Sequence, residues 1–126
     1  MSDFVNAVEI HLKVIAERDI QTFAEFLHPD YNCIIILPNG GMIEGHDNIL
    51  NFHKQWFEDQ DWRMETKTID IFITDTTGYV LLDVVYHDLD EGGNPYEMKY
   101  FLSLLFVKID GKWILIRDQN TLKGDG

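Results

Sequence analysis

With 126 residues, 45% of them hydrophobic and 13% aromatic, the chain is expected to form one domain, residues 1–126, around a buried core, a composition that excludes an intrinsically disordered protein. Its 22 acidic residues against 10 basic ones leave a formal charge of −12, which repels phosphate backbones and anionic lipid and so argues against nucleic-acid and membrane partners. Met1-Ser2-Asp3 lacks the basic stretch and apolar core of a secretory signal, no apolar run is long enough to cross a bilayer, and the single cysteine, Cys33, lies in the apolar run to Leu37, so a cytoplasmic protein with a buried, inert thiol is expected.

Phe4, Val8, Leu12 and Ile15 recur at helical spacing, which predicts an amphipathic helix from Asp3 to Arg18 with Ser2 or Asp3 as N-cap and Asp19 as its end. A second, short helix starts at Ile20, carries Phe23, Phe26 and Leu27, and stops at His28-Pro29, because proline disfavours a helical residue before it. Tyr31 to Leu37 is apolar and β-branched, Pro38-Asn39-Gly40-Gly41 turns, and Met42-Ile43-Glu44 returns as a short paired strand. Gly45-His46-Asp47 opens a third helix whose apolar face holds Ile49, Phe52, His53 and Trp56, with Asp47 as cap or first-turn acid. Strands follow over Arg63–Thr74, Tyr79–Leu89, Tyr96–Ile109 and Lys112–Leu122, joined by turns at Asp75–Gly78, Asp90–Pro95 and Asp110-Gly111. Helices followed by an antiparallel meander make an α+β chain, and Lys123 to Gly126 read as a frayed tail.

Two central strands, around Val80–Val85 and Phe101–Val107, are apolar on both faces, which predicts that neither face meets water. Helices can cover one face; a second copy of the chain covers the other most simply, so a homodimer through the outer sheet face is expected. A two-residue turn at Asp110-Gly111 sets Ile109 opposite Lys112, Leu104 opposite Arg117, Ser103 opposite Asp118 and Leu102 opposite Gln119. Trp113, directly after that turn, is expected to be structural.

The Glu17-Arg18-Asp19 helix end, Phe26-Leu27-His28-Pro29-Asp30-Tyr31, the Pro38–Gly41 turn, Ile43-Glu44-Gly45-His46-Asp47-Asn48-Ile49 and the closing Ile109-Asp110-Gly111-Lys112-Trp113-Ile114-Leu115-Ile116 together resemble the nuclear transport factor 2-like superfamily, in particular its SnoaL-like branch and its kinase association domains. The resemblance implies N-terminal helices packed in the concave face of a curved, mostly antiparallel sheet, a cone-shaped cystatin-like roll with a cavity between helices and sheet. It implies no single activity.

In the isomerase-like relatives the face equivalent to Ile116 and Asn120 looks inward, which would put Ser103, Asp118 and Asn120 in the cavity with Phe101, Leu105 and Ile114; a β-bulge would invert this. By the same resemblance His11 takes the place of the oxyanion-stabilising tyrosine of ketosteroid isomerases, while its helical phase sets it among Phe4, Val8 and Ile15. His53 lies beside Ile49 and Trp56 on the third helix, and Asp83 within an apolar strand either faces the cavity or pairs with Arg117. Leu37 stands where those isomerases carry a carboxylate base before their turn, which argues against steroid isomerisation by their mechanism. His46 and His53 are seven residues apart on one helix, a spacing that does not imply a metal, and no Ser/His/Asp order or glycine-rich phosphate loop implies a cofactor. The expected function is to bind a small apolar or partly polar molecule through His11, His53, Trp56, Phe101, Ser103, Asp118 and Asn120. Alternatives are an acid/base enzyme of isomerase, dehydratase or hydrolase type and a non-catalytic dimerisation module.

Overall fold

The computed structural model describes residues 3–124, so Ser2 and the tail residues Asp125 and Gly126 lie outside the described residues. Helix α1 spans Asp3–Ala16. It closes in a Schellman cap: Arg18 takes the left-handed conformation (φ 59°), its N–H reaches the Ile15 carbonyl at 3.0 Å and the Asp19 N–H reaches Val14 at 3.0 Å. Asp19 then caps α2 (Ile20–Ala24), accepting from the Thr22 N–H at 3.2 Å and its hydroxyl at 2.6 Å. This helix is shorter than the expected run to His28. The Phe26 carbonyl accepts instead from the Leu115 N–H at 2.8 Å, which draws the chain out of the helix and onto the sheet.

Strands β1 (Ile34–Ile36) and β2 (Met42–Glu44) form the expected small hairpin, followed by α3 (His46–Glu58) and the meander of β3 (Arg63–Ile73), β4 (Thr77–Leu89), β5 (Pro95–Ile109) and β6 (Lys112–Leu122). Gly45 precedes α3 without a side-chain cap, and Asp47 is its first-turn acid. Among the described residues the strands make one six-stranded sheet ordered β2-β1-β6-β5-β4-β3. Its one pairing without a signal in the meander is parallel, β1 on β6, where Ile35 lies opposite Asp118.

The expected hairpin register holds only from Ile109↔Lys112 to Phe106↔Leu115. Ile116 is then an extra residue, so Leu105 faces Arg117, Leu104 faces Asp118 and Ser103 faces Gln119, correcting the Ser103–Asp118 pairing. A bulge of this kind flips which side chains look inward along one strand only. On β6 the inward residues are Trp113 and Leu115 before the bulge and Asp118 and Asn120 after it, while β5 turns Tyr100, Leu102, Leu104 and Phe106 inward throughout.

The apolar part of that inner face, Tyr100, Leu102, Leu104 and Phe106 of β5 with Trp113 and Leu115 of β6 and Val80, Leu82 and Val84 of β4, is buried beneath the helices, while Asp118 and Asn120 are half-buried. Phe4 of α1 meets Phe106 and Trp113 edge-on at 5.6 and 5.0 Å, and it lies so close to β4 that a Cβ on Gly78 would stand 2.3 Å from its ring. Only glycine allows that approach. The opposite face of the sheet carries Tyr79, Leu81, Val85, Leu105 and Val107, all half-buried, and an exposed Phe72 opposite Tyr79. Asp83 sits on this outer face, where Lys123 pairs with it at 2.6 Å; Arg117 donates instead to the carbonyls of Asn32 and Ile116. Both expectations for Asp83, a cavity position and a bond to Arg117, are thereby corrected.

Candidate functional site

Helix α3 buries Ile49, His53 and Phe57 at helical spacing and turns Phe52 and Trp56 toward the far end of the sheet. The chain then doubles back to place Trp62 face to face with Trp56, ring centres 4.2 Å apart, and with Tyr86 of β4 at 6.2 Å. The left-handed turn at Arg18 sets its guanidinium 4.0 Å over the Trp62 ring, and the same group donates to the carbonyls of Asp59 and Trp62. Cation–π contact and hydrogen bonds therefore brace the aromatic wall from behind. Trp62 Nε1 donates to the Trp56 carbonyl at 3.0 Å, Trp56 Nε1 donates to the Tyr86 hydroxyl at 3.2 Å, and that hydroxyl donates to Asp88 at 2.7 Å.

Between this wall and the inner sheet face lies a pocket of about 310 Å³. Apolar side chains such as Ile15, Ile35, Met98 and Leu102 floor it, Phe52, Trp56, Tyr86, Tyr96 and Tyr100 flank it, and its polar groups come from His53, Asp118, Asn120 and Asn39. The bulge at Ile116 decides that chemistry, for without it β6 would present Arg117 and Gln119 here.

Asn120 donates both ways through Nδ2, to the Ile36 carbonyl of β1 at 2.7 Å and to Asp118 at 3.0 Å, tying the parallel strand pair together beneath the pocket. Burial pushes the Asp118 carboxyl up to about 7, against the downward pull of the Asn120 amide. The neighbouring Tyr100 hydroxyl is raised by burial and then by Asp118, and Cys33 is raised to about 12 chiefly by burial, then by Asp118, which leaves its thiol protonated and inert. His53 hydrogen-bonds the Ile49 carbonyl through Nδ1 at 2.8 Å, so Nδ1 carries the proton; burial lowers its pKa to about 4, and the ring is neutral.

His53, Trp56, Asp118 and Asn120 of the expected set stand together in this pocket; His11, Phe101 and Ser103 do not. His11 is fully buried against Phe26, Phe106 and Phe23, at 4.7, 5.4 and 5.7 Å between ring centres, and neither of its nitrogens has a hydrogen-bond partner among the described residues. These rings wall it off from the pocket, and burial followed by the neighbouring His53 lowers it to about 3. Phe101 and Ser103 point to the outer face, where Ser103 meets the Tyr79 hydroxyl at 3.1 Å and Lys123 lies over Phe101 at 5.1 Å. Leu105, Ile114 and Ile116 likewise lie outside the pocket. Sequence reasoning missed Tyr86, Tyr96 and Tyr100, which share the inward alternation with Leu82, Met98 and Leu102 once the register is known. Among the described residues no group of three or more His, Cys, Asp or Glu could hold a metal ion, and no helix is long and apolar enough to cross a membrane.

A family model described as a SnoaL-like domain matches residues 5–119. No curated protein matches the chain. Similar solved structures include a candidate dehydratase of the NTF2-like family from Streptomyces avermitilis, 12% identical over 96% of this chain and 94% of that one, TM-score 0.78. An NTF2-like protein of unknown function from Shewanella oneidensis is 17% identical over 94% and 96% of the two chains, TM-score 0.74. The association domain of the C. elegans kinase CaMKII is 20% identical over 94% and 92%, TM-score 0.67. At such identities these likenesses establish the fold.

Proposed function

The chain belongs to the SnoaL-like domain family, and from that premise we propose that it binds a small, largely apolar molecule in the pocket between α3 and the sheet. The observation that carries this reading is the combination of an aromatic wall with a few convergent polar groups, Asp118, Asn120 and His53, around about 310 Å³, a volume within the roughly 300–1,000 Å³ range of small-molecule sites. A neutral fluorescent probe, N-phenyl-1-naphthylamine, is expected to bind saturably at one site per chain. Filling the pocket with Met98→Trp is expected to abolish that binding while the circular dichroism spectrum is kept. A folded Met98→Trp protein that binds the probe like the wild type would overturn the reading.

A second reading, acid/base chemistry on the same occupant, is favoured by one observation: Asp118 titrates near neutrality beside the Tyr100 hydroxyl, where a carboxyl can both give and take a proton. His11 has no part in it, being sealed from the pocket.

The outer sheet face supports a homodimer. Leu81, Val85, Leu105 and Val107 form a half-buried apolar strip across β4 and β5, and the similar kinase domain is an association domain. An interface of about 800 Å² per protomer is expected there. Light scattering should give twice the chain mass at micromolar concentration; a monomer would refute the dimer and leave the pocket reading standing.

A further inference from the structure

We propose that the occupant of the pocket is a basic alkylamine with an aliphatic or aryl-bearing body, a molecule that brings N–H donors and positive charge to a site that supplies acceptors, π-faces and a carboxyl but no cation. The inference deepens the pocket reading above and rests on it.

Its basis is a count of what each polar group has left to offer. Asn120 spends its amide N–H groups on the Ile36 carbonyl and on Asp118, so its own carbonyl oxygen remains as an acceptor. His53 spends the Nδ1 proton on the Ile49 carbonyl, and Nε2 of a neutral ring is a lone pair. Trp56 gives its only N–H to Tyr86, and Tyr86 gives its own to Asp88. Asp118 is acceptor-only once ionised. Among the described residues the Tyr96 and Tyr100 hydroxyls and the Asn39 amide are left able to donate, all of them neutral groups, and no Lys or Arg lines the pocket. A carboxylate or phosphate in this place would meet lone pairs and a like charge with no cation to answer them, a juxtaposition that costs affinity.

An ammonium meets the opposite conditions. It can donate to Asp118 in a charge-assisted hydrogen bond and to the free acceptors of Asn120 and His53, while Phe52, Trp56 and Tyr96 supply faces for cation–π contact. Arg117, next in sequence to Asp118, is committed to the carbonyls of Asn32 and Ile116 across the bulge and does not occupy the carboxyl. The formal charge of −12 adds a long-range attraction for cations.

Ionisation of Asp118 couples binding to pH. The titratable groups packed around it and across the pocket are Tyr96 and Tyr100 on β5, Tyr86 on β4, Cys33 ahead of β1 and His53 on α3, and all five are neutral near pH 7. The carboxyl is therefore the group there whose charge changes near neutrality.

The test compares three ligands of matched shape as competitors for N-phenyl-1-naphthylamine at about pH 8: 1-naphthylmethylamine, 1-methylnaphthalene and 1-naphthoate. The amine is expected to bind about tenfold more tightly than the hydrocarbon, the gain of one charge-assisted contact, with the carboxylate weakest of the three. The amine's advantage should shrink at about pH 5.5 in the wild type and be lost at both pH values in Asp118→Asn. If the hydrocarbon displaces the probe and the amine does no better than the carboxylate, the amine assignment is overturned while the pocket reading survives. If none of the three displaces the probe, the amine assignment falls, and the pocket reading is decided by the Met98→Trp protein alone.

Discussion

Between about pH 8 and pH 4.5 the wild-type protein is expected to lose about 2 kcal/mol of stability, and an Asp118→Asn variant about 5 kcal/mol, when both are unfolded in urea. The histidines supply the loss. His11 and His53 are held neutral by burial, with values lowered from 6.5 to about 3 and about 4, so below pH 6.5 the unfolded chain takes up protons that the folded one refuses. Each pH unit in that window costs about 1.4 kcal/mol per histidine, or about 5 kcal/mol in total by pH 4.5. Asp118 acts with the opposite sign. Its folded-state value is raised from 3.8 to about 7, so the folded chain binds its proton first, and about 3 kcal/mol is recovered as pH falls to about 4.5. Asparagine removes that recovery and also removes the cost of burying an ionised carboxylate, so at about pH 8 Asp118→Asn should be the more stable protein by up to about 4 kcal/mol. His11→Leu separates the contributions: it should about halve the acid loss in the Asp118→Asn background and remove two nitrogens that lack partners. A difference between wild type and Asp118→Asn that stays constant with pH would show that Asp118 titrates as an ordinary surface carboxyl.

The order of helices and strands was legible because hydrophobic period and turn chemistry are local: the spacing of Phe4, Val8 and Ile15 and the Asp110-Gly111 turn act within a few residues. The helix ending early at Ala24 and the parallel pairing of β1 with β6 were not, since both depend on hydrogen bonds to residues about 85 to 90 positions away, Leu115 and Asn120. The site shows the same divide more sharply. Counting back from the turn gave Ser103 and Asp118 as a cross-strand pair on one face, and one unpaired residue at Ile116 separated them, leaving Asp118 and Asn120 in the pocket and Ser103 outside. Nothing in Trp113–Arg117 marks a bulge, which carries no glycine there. His11 misled for another reason. Helical phase correctly put it on the buried face, but phase does not distinguish a cavity wall from a packed interior, and Phe23, Phe26 and Phe106 fill the space around it.

Trp62→Ala is expected to cost about 3–5 kcal/mol, the range for emptying a buried tryptophan site, and to weaken probe binding in whatever protein remains folded. Periodicity assigned this residue no role, because it stands between α3 and β3, yet it is only 2% exposed. It is where three distant parts of the chain meet: Trp56 of α3 stacks on one face, the Arg18 guanidinium lies over its ring, and Tyr86 of β4 is parallel at 6.2 Å. Removing the indole leaves a cavity behind the pocket wall, frees the Trp56 carbonyl that its Nε1 had satisfied, and takes away the π-face that Arg18 covers. Trp62→Phe keeps a flat ring for the stack and loses only the N–H and part of the volume, so its cost should be well under half that of alanine. Urea midpoints of the two variants measure the stack directly. Equal midpoints for Trp62→Ala and wild type would mean that the Trp56 wall stands without support, and the pocket's shape would then have to come from α3 alone.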